Sequence, residues 1–253
     1  MIRPIHLWMT AIAGLVILGS IPASVIYAAS DSEDLAIAKS LADMLFAGEA
    51  VVSKEQDRIN DPKLGDKGLN GAALIEHTRE IYRTTTGVDP ATIDPASRQG
   101  RLLHVQMDAA VEVMNANQAT INAVGTSFKG FIPAVFARLV NEAFNRRAKG
   151  EAEVKVTGPP DRIRNRKARP DVWETDIIKS KLLTPSWPRG QAYSAAVETD
   201  GHPAFRVMVP QYYDETCLAC HGSPKGEVDI TGYPKEGAKV NELGGVISIV
   251  LYR

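Results

Sequence analysis

Two cysteines and five histidines are the whole supply of thiol and imidazole in this 253-residue chain. A scaffold stapled by several disulfides is therefore excluded, and a structural zinc site would lack its fourth ligand and second ligand pair. Charge of one sign is also missing, because Lys+Arg 29 stand against Asp+Glu 30 and leave a formal net charge of -1. Such a balanced surface exerts no global pull on nucleic acid. No internal repeat is evident, and nothing marks out the distal acid and base groups of a peroxidase-like catalyst. The reading is of a protein that is not an enzyme.

What cysteine there is lies in one place, the run Thr216-Cys217-Leu218-Ala219-Cys220-His221-Gly222. C-x-x-C-H is the spacing for covalent attachment of a c-type haem. Two thiols add to the vinyl groups on one edge of the porphyrin, and the adjacent imidazole is brought beneath the iron as an axial ligand. A thioredoxin-like redox pair also uses C-x-x-C, but it asks for a strand followed by a helix. Here Val207 to Tyr213 leads into the motif, and Gly222 with Pro224 breaks the chain directly after it. One such run means one haem c, with iron held by His221 and the ring by Cys217 and Cys220.

Haem attachment of this kind takes place outside the cytoplasm, so an export signal is expected. Arg3 and His6 precede an uncharged stretch from Leu7 to Ser30, and the next charges are the acidic Asp31, Glu33 and Asp34. That asymmetry sends the remainder across the membrane. Residues 1–29 are read as a signal peptide cleaved near Ala28, after Pro22 and the small residues Ala23 and Ser24, or as an uncleaved N-terminal anchor. Residues 30–253 then form one periplasmic domain, soluble or tethered accordingly. With both cysteines committed to haem, its stability must come from packing and from burial of the haem.

The first part of that domain is patterned for helices. Leu35, Ala38, Leu41, Ala42, Leu45 and Phe46 recur at helical spacing after a cap at Ser32 or Asp34, and the pattern runs to about Arg58. Further helices are predicted over Leu69 to Thr84, Ser97 to Val124 and Phe131 to Arg147. After Gly150 the character changes. Glu153 to Val156 alternates like a strand, Asp161 to Arg169 is a basic irregular stretch, and Asp171 to Leu183 reads as a helix. Tyr193 to Thr199 and Ala204 to Val209 are strands joined by a hairpin turn at Asp200-Gly201-His202-Pro203, and Val246 to Val250 is a buried strand. Helices first and antiparallel strands later specify an α+β fold.

The run Phe131-Ile132-Pro133-Ala134-Val135-Phe136-Ala137-Arg138-Leu139, then Arg162-Ile163-Arg164-Asn165-Arg166 with Pro170-Asp171-Val172-Trp173-Glu174, and the haem motif ahead of Gly244-Gly245 resemble a family of periplasmic c-haem-binding PAS-like domains. Its members occur in cyanobacteria and proteobacteria, free-standing or fused to histidine kinases. The resemblance spans roughly Leu35 to Arg253. It implies a small antiparallel PAS-like sheet behind the haem, a helical N-terminal region packed alongside, and redox or ligand sensing rather than a reaction on substrate. A characterised type of this family takes its second axial ligand, a cysteine thiolate, from the helix corresponding to Phe131 to Phe144. This chain has no third cysteine, so the sixth position is open to other ligands.

His104 is the first candidate for that position, with Met107 one turn further along the same helix; His77, His202, Met114 and Met208 follow, and no protein ligand at all is the alternative. Arg162, Arg164, Arg166, Lys167 and Arg169 form either a solvated loop or a clamp for the haem propionates, since an arginine holds a carboxylate bidentately. Arg164 and Asn165 match the family motif and are chosen for the propionate side. Trp173 resembles a family position, in the core or against the porphyrin edge. Tyr212 and Tyr213 precede the motif, with one of them pointing outward. Two functions compete, a redox or gas sensor and a simple electron carrier. As the chain carries no transmitter module up to Arg253, the expected partner is a separate membrane-bound signal transducer or a redox protein. An N-terminal helix after a membrane segment would also suit a homodimer.

Overall fold

The structure is a computed structural model and describes residues 23–253. The export segment expected over residues 1–29 lies outside the described residues up to residue 22. Among the described residues no helix is long and apolar enough to cross a membrane.

Six helices come first: α1 (Ala23–Lys54), α2 (Gln56–Asn60), α3 (Gly71–Thr86), α4 (Arg98–Ala116), α5 (Gln118–Ile121) and α6 (Pro133–Arg147). Local chemistry sets their limits. The Asn70 side chain accepts from Ala73 N and opens α3, and Gly87 closes it at φ 74, a left-handed conformation that costs glycine nothing. Ser97 caps α4 in the same way, and Pro133 stands in the first turn of α6. Their apolar stripes meet in one core that includes Leu41, Leu45, Leu74, Leu103, Phe136 and Phe144.

One expectation fails at the start of this layer. No helix begins at Ser32 or Asp34, because α1 runs through both from Ala23. The Asp34 carboxylate is buried and paired with Arg98 at 3.0 Å and with Arg253 at 2.7 Å, so it joins α1 to α4 and to the chain's last residue. A short polar side chain that sequence reading takes for a cap is a tertiary ion pair.

The second half forms an antiparallel sheet of β1 (Ala152–Thr157), β2 (Tyr193–Thr199), β3 (His202–Tyr212) and β4 (Leu243–Tyr252), in the order β1-β4-β3-β2. The α+β expectation holds. Alternation divides the two faces: Phe205, Val207, Ile247, Ile249 and Leu251 join the helical core, whereas Met208 and Val246 face the other way. Onto that outer face packs α7 (Val172–Ile177), which continues as a π-helical turn over Ile178–Leu182 instead of as the single helix expected. The β2–β3 connection is tighter than expected, since Thr199 pairs with His202 and only Asp200 (φ 53) and Gly201 (φ 77) turn. The last helix, α8 (Leu218–His221), is a single turn that carries the cysteine motif between β3 and β4.

Candidate functional site

Asp214 builds the motif. Its carboxylate accepts from the backbone N–H of Thr216 (2.8 Å) and Cys217 (3.2 Å) and from the Thr216 hydroxyl (2.6 Å), folding the chain into a 3-10 turn that runs straight into α8. The Thr216 hydroxyl and the other donors hold this carboxyl below its ordinary range against the opposing effect of burial. Cys217 and Cys220 fall three apart on that turn, so they share a side. Both are free thiols and partly buried. Burial pushes both thiols up, and the nearby carboxylates Asp214 and Asp229 add to the rise. A redox dithiol needs the opposite, a thiolate stabilised below its ordinary pKa.

His221 is held through one nitrogen. Its Nδ1 lies 2.8 Å from Glu236 Oε2. A carboxylate only accepts, so Nδ1 carries a proton, and in the neutral ring the lone pair is on Nε2. An imidazole fixed by a carboxylate at one nitrogen and free at the other is the arrangement of a metal-binding histidine and its outer partner. The Tyr213 ring lies 5.0 Å from the imidazole, tilted by 31°. Gly244 makes room for it, since a Cβ there would stand 2.6 Å from the Tyr213 ring.

Arg164 gathers the lobe around the motif. Its Nε donates to Glu236 Oε1 at 2.8 Å, its Nη1 to Asp229 Oδ2 at 2.7 Å, and its Nη2 to the Cys220 carbonyl at 2.9 Å and to Glu236 Oε2 at 3.1 Å. Burial pushes the Glu236 carboxyl up, but the bonds from Arg164 and His221 outweigh it and leave the group below its usual range. Asp229 has a fully buried side chain, and there too hydrogen bonds, from Thr231 and Arg164, overcome burial and hold the carboxyl far down.

The structure thus brings Cys217, Cys220, His221 and Arg164 together, and corrects Arg164 as a propionate clamp. Its guanidinium is already spent on two carboxylates and a carbonyl. Arg162 answers that description better. Its Nη2 donates to Glu242 at 3.0 Å, but its Nη1 is buried without a partner. Asn165 accepts from Lys167 N at 3.0 Å and borders the same cleft.

Trp173 takes the core alternative and not the porphyrin edge, and none of the histidine and methionine candidates for the sixth position lines the cleft. Trp173 packs on the outer face of the sheet with Ile177, Ile178 and Met208, under the Arg206 guanidinium at 4.3 Å, and does not border the cleft. His104 is exposed on α4 with its Nδ1 2.7 Å from the carbonyl of Gly100, so the helix turns it away from the motif. Met107 packs against the helical core, Met114 is buried within it, and His77 and His202 are exposed. Of the two tyrosines, Tyr213 is buried beside His221, whereas Tyr212 accepts from Gly190 N at 3.1 Å.

The cleft beside the motif has a volume of about 1530 Å³. It runs between α1, α6, the exposed edge of β1, the Arg162 to Asn165 loop and α8. Among the described residues that line it, the only cysteine, histidine or methionine side chains are Cys217, Cys220 and His221. Among the described residues no group of three or more His, Cys, Asp or Glu side chains is arranged to hold a bare metal ion. Two thiols, an imidazole with a free Nε2 and an unpartnered arginine N–H in one cleft fit a covalently held haem and its propionates. Glu236 and Asp229 escape sequence reading because both lie in an irregular loop with no periodic pattern. The only signal for them is general: a cluster of arginines in a chain of balanced charge has carboxylate partners somewhere.

A family model described as Tll0287-like matches residues 90–251. The match begins in the turn before α4, so α1, α2 and α3 precede it, a narrower span than Leu35 to Arg253. No curated protein and no solved structure matches the chain.

Proposed function

The chain belongs to the Tll0287-like family, a family associated with haem binding, and on that premise we propose that it is an exported monohaem c-type protein that senses redox state or a small ligand. His221 carries the proposal: its Nδ1 is tied to Glu236, its Nε2 is free, and two free thiols stand on the same turn. In attachment, each thiol would add its S–H across a vinyl C=C, forming one S–C bond and passing the hydrogen to the neighbouring carbon. When bound, the haem supplies an iron that changes oxidation state and takes axial ligands. His221 would be the proximal ligand, and the Arg162 N–H would meet a propionate.

Sensing is favoured over plain electron transfer by the make-up of the cleft. A low-spin electron carrier wants a second strong ligand from the protein, and among the described residues the cleft offers no further histidine, methionine or cysteine. Binding rather than catalysis on a substrate is the role that fits. The surroundings would be the periplasm, and the partner a membrane-bound signal transducer or a redox protein, with a homodimer through the N-terminal helices as one assembly.

Cys217→Ser combined with Cys220→Ser should abolish haem staining on a denaturing gel; stain that survives would sink the proposal. Carbon monoxide should shift the spectrum of the reduced parent. A low-spin spectrum indifferent to carbon monoxide in that protein would return the function to electron transfer.

A further inference from the structure

The wall of the cleft formed by α1, α6 and β1 carries polar groups that haem attachment leaves unused. Asn141, on α6, is 4% exposed, and neither its Nδ2 nor its Oδ1 has a partner. Thr157, at the end of β1, is 1% exposed, and its hydroxyl is likewise unpartnered. Glu49, on α1, has a single hydrogen bond, accepted from Gln211 Nε2 at 3.0 Å. Burial pushes its carboxyl up to about 8, which keeps it protonated and a potential donor at neutral pH. Buried polar atoms without partners are costly and uncommon in native folds.

These groups are brought to the same end of the sheet. Asn145 locks α6 to β1 by donating to the Val154 carbonyl (3.0 Å) and accepting from Val154 N (2.8 Å). The preceding turn of α6, with Asn141, is thereby carried toward the Thr157 end of β1. A Cβ built on Gly245 would stand 2.9 Å from Gln211 Oε1 and 3.4 Å from the Thr157 carbonyl, so the Glu49–Gln211 pair reaches that end from the other side. All four residues border the cleft that contains His221. Two cations nearby are engaged elsewhere: Arg138 with Glu142 and Lys155 with Glu174.

We propose that Asn141, Thr157 and Glu49 form a hydrogen-bonding subsite for a compact di- or triatomic ligand with lone pairs on its terminal atom. This deepens the haem reading and rests on it, because the donors of a distal pocket decide which small molecules a haem retains. The subsite replaces a second protein ligand with an exogenous one.

Azide added to the oxidised holoprotein and carbon monoxide added to the reduced one test this by absorption titration. Asn141→Leu and Thr157→Val keep the branched side-chain skeleton and remove an unpartnered polar group, so both variants should fold and stain for haem. Azide should bind each about tenfold more weakly than the parent, the effect of one lost hydrogen bond. In Thr157→Val carbon monoxide, a poor acceptor, should bind as in the parent. Equal azide affinity in parent and both variants overturns the subsite. A parent that stains for haem yet binds neither azide nor carbon monoxide also overturns it and leaves the haem reading standing, whereas a parent without stain removes both.

Discussion

Between Ile37 and Phe144 the chain buries a continuous set of leucine, isoleucine, phenylalanine and alanine side chains, yet across residues 214–242 the only buried apolar side chain is Ala238. The helical layer is held by area removed from water, shared among many residues. The lobe that bears the cysteine motif is held by a few directed contacts. Arg164 links Cys220, Asp229 and Glu236, and the ends of the lobe are tied by Tyr213 N to the Glu242 carbonyl (3.0 Å) and Ala238 N to that of His221 (2.8 Å). A region stabilised in the first way loses a little at each truncation and fails as a whole. The second way concentrates stability in one or two charges, and it leaves room for a bound group to supply the apolar surface the lobe lacks.

The contrast can be broken by three measurements. Phe144→Ala should cost about 3–5 kcal/mol in denaturant unfolding, because a fully buried ring is removed from a close-packed core. A loss below about 1 kcal/mol would show that the helical layer is not the cooperative core. Arg164→Ala should remove about 2–3 kcal/mol from the lobe alone, since it strands the buried Asp229 and frees Glu236. Hydrogen exchange should then accelerate at Gly237 and Ala238 while Val207 and Ile249 keep their protection; uniform acceleration would mean that lobe and core unfold together.

The third measurement concerns Glu49, whose carboxyl is raised from 4.5 to about 8 by burial, against a lowering bond from Gln211. The folded state holds its proton where the unfolded state has released it. The stability from this group is therefore complete below pH 4.5, falls as pH rises toward 8, and is flat beyond. Its slope is at most about 1.4 kcal/mol per pH unit. In Glu49→Gln the unfolding midpoint should vary less steeply with pH across that window. An unchanged slope would assign the pH dependence to other groups.

Which parts were legible follows the same division. The helices over Gly71–Thr86 and Pro133–Arg147 and the strand over Ala152–Thr157 announce themselves by periodicity, a signal carried by near neighbours along the chain, whereas the Asn70 cap that starts the first of them shows only in the fold. The cysteine motif is legible because its chemistry is packed into five consecutive residues. Misreadings arise where a residue serves a distant partner: Asp34 resembles a cap but pairs with Arg253, and His104 resembles a ligand but faces solvent. Arg164 is legible as a site residue, but the carboxylates Asp229 and Glu236 that occupy it are not.

The sequence alone determined the α+β order of elements, the balanced charge, and the pairing of two thiols with an imidazole, since each depends on composition or on neighbours along the chain. Tertiary structure alone decided that Glu236 holds His221 from 15 residues away, that Arg164 reaches Cys220 across 56, and that Gln211 meets Glu49 across 162. Contacts at such separations follow from how the layers pack, and side chains that meet only there carry no local pattern by which to be read.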